Sequence, residues 1–144
     1  MNGRRRSPLI TIAAAAVAAV AMLAAATAAF LALQGRAEGA ALYEGRQPLV
    51  ARVSGHEQPL PAIAARCINC HEGAQAIGPA LNERTLAQPL ARRGGPPSRY
   101  DAAALCRLLR EGIDPASVIV PRAMPRYEID GRACEALWAH LQSR

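Results

Sequence analysis

The stretch AARCINCHEG, residues 64–73, places two cysteines three positions apart and a histidine directly after the second. Cys67, Cys70 and His71 would lie within about one turn of any helix that the segment forms, because an α-helix has about 3.6 residues per turn. The whole chain has only 4 cysteines. Two thiols and an imidazole so close together therefore predict a shared task in holding a metal or a cofactor.

This spacing is the Cys-x-x-Cys-His pattern of c-type haem attachment. Two thiols on one turn can add to the two vinyl groups of a haem as thioethers, and the imidazole of the next residue then lies beneath the ring and binds the iron. We therefore predict one covalent haem c, with its iron, bonded to Cys67 and Cys70 and ligated by His71. The run PAIAARCINCH, beginning at Pro61, is predicted to form the short helix that carries them, since proline suits a first helical turn.

Three other interpretations of the cysteine pair compete with haem attachment. A structural zinc site needs four ligands, usually from a second close pair, whereas Cys106 and Cys134 are far apart in sequence. A dithiol redox motif of the thioredoxin type follows a strand in a βαβ unit, whereas the segment before Cys67 is helical in pattern. The pattern can also occur by chance in a protein without haem. Haem attachment is the favoured interpretation.

The second axial ligand of the iron is predicted to be Met124. Met1 is the initiator and Met22 lies in an apolar N-terminal run, so Met124 is the one methionine left to ligate. Prolines on both sides of it stiffen its loop and keep it out of a helix. A thioether ligand favours ferrous iron and raises the reduction potential relative to two imidazoles.

Alternatives to methionine ligation stay open at this point. Met124 could simply fill core space, as methionine commonly does. His140 would need the last helix turned inward, and His56 lies in a segment of no regular pattern, where ligation is less expected still. An iron left open on one side would bind small gases or peroxide.

The N-terminal region, residues 1–34, is predicted to be a membrane anchor or a signal segment. No charged residue lies between positions 8 and 33. That length favours an uncleaved anchor, since a spanning helix needs about 20 apolar residues and a signal peptide about 7–15. Arg4 to Arg6 would hold its start in the cytoplasm. The abundance of alanine and the triplet Ala26-Thr27-Ala28 keep a cleaved signal open, and a buried helix of the soluble domain is the third possibility.

The rest of the chain is thus expected on the periplasmic side of a bacterial inner membrane, or free in the periplasm after cleavage. Residues 35–60 show no sustained helical or strand period and are rich in glycine, proline and mixed charges, so we predict a tether. Its apolar residues Leu42, Tyr43, Leu49 and Val50 could still dock on the domain. Residues 61–144 form the predicted domain, which is small enough to need help with its core.

Charge argues against a nucleic-acid partner. The 17 basic residues are all arginine, and the net charge is +6. From residue 35 onward, however, 14 arginines face 11 acidic residues, so the excess is mild. Binding to nucleic acid normally shows a strong basic patch. We therefore predict redox proteins as partners, not nucleic acid.

Two further helices are predicted in the domain. The first has Ser98 and Asp101 as possible N-caps and ends at Gly112, a suitable residue for a helix C-terminus. The second begins at Asp130. Apolar residues recur at helical spacing along both, which places one face of each against a core: Leu105, Leu108 and Leu109 on the first, and Cys134, Leu137, Trp138 and Leu141 on the second.

From about Pro61 to its end the chain resembles a class I, small monohaem cytochrome c domain. The resemblance implies an all-α fold, a helical wrap around the haem in which the first and last helices cross. In that family the proline after the haem motif offers its carbonyl to the axial imidazole, and Pro79 would do so for His71. The matching segments, in the order the family has them, are CINCH (67–71), GPAL (78–81), LLREGIDPA (108–116), MPRY (124–127) and EALWAHL (135–141).

Cys106 and Cys134 are not needed for haem. Each lies on the apolar side of a predicted helix, and the two helices bracket the loop with Met124. We predict a disulfide that holds this loop against the iron; two inert buried thiols are the alternative. In the loop ARRGGPPSRY (91–100), the arginines would lie near haem propionates, steer an acidic redox partner, or remain solvated.

The predicted function is electron transfer between periplasmic or membrane redox partners, without catalysis. His71 and Met124 would fill both axial positions and leave none for a substrate. The chain could equally be the cytochrome subunit of a dehydrogenase or oxidase complex. If Met124 does not ligate, a five-coordinate haem sensor or peroxidase is expected instead, and a thiol protein without haem is the third hypothesis.

Overall fold

Helices are the main regular structure of the chain, and the longest of them is the apolar N-terminal one. The computed structural model describes the backbone of residues 8–144 and the side-chain surroundings of residues 14–144. Arg4 to Arg6, predicted to hold the N-terminus in the cytoplasm, lie outside the described residues. The elements are α1 (Pro8–Glu44), β1 (Val50–Arg52), α2 (Ile68–His71), α3 (Glu83–Leu86), α4 (Ala102–Glu111), β2 (Arg126–Glu128) and α5 (Gly131–Leu141).

The chain divides into two compact units, Met1–Gln34 and Gly35–Arg144. In the first unit, the side chains from residue 14 onward are exposed along α1. The portion Ala14–Glu44 is long and apolar enough to cross a bilayer, with a mean hydropathy of 2.3 in its most apolar window, none of which is buried. A membrane anchor and a signal sequence both fit this description. A buried helix of the soluble domain does not, because the apolar side chains face outward.

The second unit begins inside α1, whose last turns pack on α5. A Cβ atom on Gly39 would lie 2.0 Å from the carbonyl oxygen of Ala136, so glycine is what lets the two helices approach. Glu38 forms an ion pair with Arg132 at 3.1 Å. The ring of Tyr43 lies 5.5 Å from that of His140, centroid to centroid. The first and last helices of this unit are therefore in contact along one face of α5.

Where the sequence predicts a tether, residues 35–60, the structure has parts of the core. Leu42 and Tyr43 are buried, and Ala51 in β1 is fully buried. Strand β1 pairs antiparallel with β2, with Ala51 opposite Tyr127. Of the apolar residues considered for docking, Leu49 packs against this core and Val50 is exposed. The helical part of this range, residues 35–44, contains two glycines and only two large apolar residues, and a three-residue strand is too short to show a period, so no regular pattern is visible in the sequence.

Helices α4 and α5 begin and end close to where the sequence predicts. The side chains of Asp101 and Asp130 accept hydrogen bonds at 2.7 Å from backbone amides in the first turns. Gly112 ends α4 in the left-handed region, with φ 74°. Their apolar faces pack together, and a disulfide joins Cys106 and Cys134, whose Cα atoms are 5.4 Å apart. This pair of helices frames the segment that carries Met124.

Candidate cofactor-attachment site

The segment before the cysteine motif is a turn followed by a short helix. The sequence predicts one helix from Pro61, but α2 covers only Ile68–His71, and one hydrogen-bonded turn precedes it, with Ala64 N–H donating to the carbonyl of Pro61. The carbonyl of Ile63 instead accepts from the side chains of Arg66, at 3.2 Å, and Asn69, at 2.8 Å. These side-chain bonds replace the helical ladder that would continue through Ile63.

Two free thiols lie at α2, Cys67 at its N-cap and Cys70 within the helix. Cys67 is buried and Cys70 is half-buried. Burial raises the pKa of the Cys67 thiol to about 11. Tyr127 from β2 lies beside this region and donates from its hydroxyl to the carbonyl of Ala65 at 2.9 Å. Cys67 is therefore a neutral thiol at physiological pH, buried in the core next to β2 and the preceding turn.

The imidazole of His71 is fixed by the backbone that follows it. Its Nδ1 lies 2.7 Å from the carbonyl oxygen of Pro79, and because a carbonyl only accepts, Nδ1 carries the proton. The lone pair of the neutral ring is then on Nε2. Burial lowers the pKa of His71, which keeps the ring neutral. A neutral imidazole with one nitrogen tied to a carbonyl is the usual form of a metal-binding histidine.

A glycine leaves the room that this imidazole needs. A Cβ atom on Gly78 would lie 2.6 Å from Cε1 and 2.7 Å from Nδ1 of His71. The Gly78 amide also donates to the carbonyl of Cys70 at 2.8 Å, closing the loop between α2 and Pro79. Gly78, the residue before Pro79, thus serves as a cradle for the His71 ring, because its missing side chain leaves the ring its space. Gly78 belongs to the GPAL segment (78–81), but nothing in the sequence indicates this contact with His71.

Met124 lies in the loop between α4 and β2. Its amide donates to the carbonyl of Pro121 at 3.1 Å, which forms a turn between the two prolines. The side chain is partly buried and packs against the same core that contains Cys67. Its carbonyl accepts from the guanidinium of Arg126 at 2.5 Å. The structure therefore gives Met124 a fixed backbone position in a loop that ends next to Tyr127.

The competing histidines have other surroundings. His140 lies in the last turn of α5, and its ring faces that of Tyr43 at the end of α1. His56 is exposed. In the part of the chain that the structure describes, no three His, Cys, Asp or Glu side chains form a group that could hold a metal ion.

The arginines of the loop 91–100 differ in what their side chains contact. Arg92 donates to the carbonyls of Ser98 and Thr85 and stacks on the ring of Tyr100, 5.1 Å from its centroid. Arg93 reaches within 3.9 Å of the fully buried Asp114 carboxylate. Arg92 is thus a clamp for this loop, whereas Arg99 is exposed and solvated.

Three isoleucines of the second unit are strongly exposed, although their sequence pattern does not predict it. Ile63 is 68% exposed, Ile77 80% and Ile119 74%. Ile63 precedes Cys67 in the turn, Ile77 precedes Gly78, and Ile119 precedes Met124 in its loop. Their nearness in sequence to the predicted attachment and ligand residues is the signal that could have identified them.

Comparison of the chain with protein-family models, with curated proteins and with solved structures finds no match. A function for this chain therefore has to be argued from its own residues.

Proposed function

We propose that this chain is an electron-transfer cytochrome c that carries one haem bonded to Cys67 and Cys70, with His71 and Met124 as axial ligands. The observation that carries the proposal is the 2.7 Å contact between His71 Nδ1 and the Pro79 carbonyl. That contact selects the tautomer whose Nε2 is free to bind iron, and it orients the ring. A cysteine motif that occurred by chance would not need its histidine prepared in this way.

The residues around the motif fit a haem in chemistry as well as in spacing. Two thiols are the groups that form thioethers, and neutral imidazole and thioether sulfur are both haem-iron ligands. Gly78 gives His71 its space, since any side chain there would meet the ring. The exposed Ile63, Ile77 and Ile119 lie in the same three segments as the proposed ligands. An apolar porphyrin covering such side chains would supply core that a small domain lacks.

When bound, the haem supplies an iron that takes up and releases one electron. The chain's own part would be to hold the haem and to keep other ligands off its iron. His71 and Met124 would leave no coordination position for a substrate, and the Pro79 carbonyl keeps the imidazole in one orientation. Donor and acceptor would be redox proteins, and the chain would act either alone or as the cytochrome subunit of a dehydrogenase or oxidase complex.

We further propose that α1 anchors the protein in a bacterial inner membrane, with the haem domain on the periplasmic side. The apolar length of α1 supports an anchor or an export signal. The disulfide between Cys106 and Cys134 supports an oxidising compartment, since disulfides are rare in the cytosol. Haem attachment in the periplasm would also take place in the compartment where the domain, with its two free thiols Cys67 and Cys70, would reside.

The test is haem attachment to the full chain, produced together with haem-ligation machinery. We expect the intact protein to gain the mass of one haem and to stain for haem on a denaturing gel. Cys67→Ala/Cys70→Ala should lose the covalent stain. Cys106→Ala/Cys134→Ala, which removes the same number of thiols elsewhere, should keep it. Absence of added mass in the unsubstituted protein would refute the proposal.

A second candidate is a five-coordinate haem sensor or peroxidase, favoured by the partial exposure of Met124. The two differ in access to the iron. A carrier with both axial positions filled should show the weak red-edge band of methionine-ligated ferric haem and should not bind carbon monoxide when reduced. Ready carbon monoxide binding by the native reduced protein would favour the sensor or peroxidase.

A further inference from the structure

We infer that Arg126 is a positioning residue that holds Met124 at the iron, an inference that rests on the proposed function. Arg126 is the first residue of β2, two positions after Met124. Its Nη1 donates to the Met124 carbonyl at 2.5 Å, and its Nη2 lies 3.4 Å from the carbonyl of Val120. One guanidinium thus joins both sides of the turn that carries the proposed ligand.

The guanidinium lies on the bare backbone at the end of α4. A Cβ atom on Gly112 would be 2.0 Å from Cζ of Arg126, so no other residue leaves room for this arrangement. Gly112 also accepts from the Val120 amide at 2.9 Å. Arg126, Gly112 and Val120 therefore form one connected unit, which ties the start of the methionine loop (residues 112–126) to its end.

The first half of the methionine loop is held by other means. Asp114 is fully buried, and its Oδ1 accepts from the amides of Ala116, at 3.0 Å, and Val118, at 2.8 Å. Ile113 pairs with Ile119 across this turn. The second half, between Pro121 and Pro125, has one internal hydrogen bond, from Met124 to Pro121. The Arg126 guanidinium is the additional tie that reaches Met124 itself.

The charge on Arg126 has no carboxylate partner within ion-pair distance among residues 14–144. A partly buried cation without an ion-pair partner is costly, and its carbonyl contacts offset that cost only if their geometry is kept. Arginine suits the task because its planar fork can reach two carbonyls at once, which a lysine ammonium does poorly. A cation placed at this cost is consistent with a role for Arg126 in fixing the position of the methionine loop.

The experiment compares haem-loaded full-length protein with Arg126→Gln, Arg126→Lys and the control Arg122→Gln. Arg122 lies two positions before Met124, as Arg126 lies two after it, and is exposed. Ferric protein is titrated with imidazole, whose nitrogen replaces the Met124 sulfur on the iron without electron transfer. The red-edge band reports the sulfur bond, and amide hydrogen exchange of the loop in protein without haem gives a second readout.

We expect Arg126→Gln to bind imidazole about tenfold more tightly, equivalent to about 1.4 kcal/mol, and to exchange its loop amides faster. Arg126→Lys should fall between it and the unsubstituted protein, and Arg122→Gln should match the latter. If Arg126→Gln does not fold, Arg126→Lys decides alone. Unchanged imidazole affinity in haem-loaded Arg126 variants would overturn the inference and leave the proposed function standing, whereas failure of the unsubstituted protein to attach haem would overturn both.

Discussion

The two proposed axial ligands are held in different ways. His71 is fixed by groups close to it in sequence: its ring bonds the Pro79 carbonyl and rests against Gly78, all within residues 61–79, the attachment segment. Met124 is fixed by distant groups, through Arg126 lying on Gly112 and through helices that a disulfide joins. A short segment can therefore orient one ligand by itself, whereas the other ligand depends on the assembled domain.

The largest effect is expected from removing the disulfide. Cys106→Ala/Cys134→Ala should lower the free energy of unfolding by about 3–4 kcal/mol, since the crosslink closes a long loop in the unfolded chain. If the comparison holds, hydrogen exchange should accelerate more in residues 112–126 than in residues 61–79, and the red-edge band of haem-loaded protein should weaken. Unchanged melting and unchanged methionine ligation would show that the disulfide does not support the loop.

A smaller effect is expected from raising the pH of protein without haem. Burial raises the pKa of Cys67 to about 11 from its ordinary value of 9.0, so the folded state binds more protons than the unfolded state between these values. Stability contributed by this thiol is present below pH 9 and is lost as pH rises toward 11, on the order of 2 kcal/mol in total. Urea unfolding from about pH 8 to about pH 11 measures this loss in the free energy of unfolding. Cys67→Ala should show a shallower loss over the same range.

Gly78→Ala tests the cradle of the attachment segment. The new methyl group would meet the His71 ring at 2.6 Å, so ring or backbone has to move, at a cost of about 1–3 kcal/mol. The matched control is Gly131→Ala at the start of α5, where a Cβ atom has open space and stability should not fall. Thermal unfolding of both variants checks the difference. Equal stability of the two would mean that the close approach at Gly78 carries no constraint.

The smallest effect concerns the contact between β2 and the turn before the motif. Tyr127→Phe removes the buried hydrogen bond to the Ala65 carbonyl and should cost about 1 kcal/mol. Tyr43→Phe is the control, because the hydroxyl of Tyr43 is buried with no hydrogen-bond partner in the described part of the chain. Its removal should not destabilise. A larger loss in Tyr43→Phe than in Tyr127→Phe would contradict this assignment of the two hydroxyls.

Local signals were enough for much of the helical framework. Asp101, Gly112 and Asp130 mark ends of α4 and α5 because caps act within one turn, and the apolar spacing of both helices requires only their own sequence. The same reasoning failed for residues 35–60 and for the helix predicted from Pro61. In the first case the helical part has few large apolar residues and the strand has only three residues, and in the second the side chains of Arg66 and Asn69 bond the Ile63 carbonyl.

The available chemistry follows from the order of the residues along the chain: two thiols and an imidazole on one turn, one methionine between prolines outside the N-terminal segment, and an apolar N-terminal helix. The tertiary structure alone decided which groups meet over long distances, namely Gly39 with Ala136, Tyr127 with Ala65, and Arg126 with Gly112. The physical reason is range. Caps, turns and ligand spacing act over a few residues, whereas close approach depends on the shape of a partner that folding brings from elsewhere in the chain.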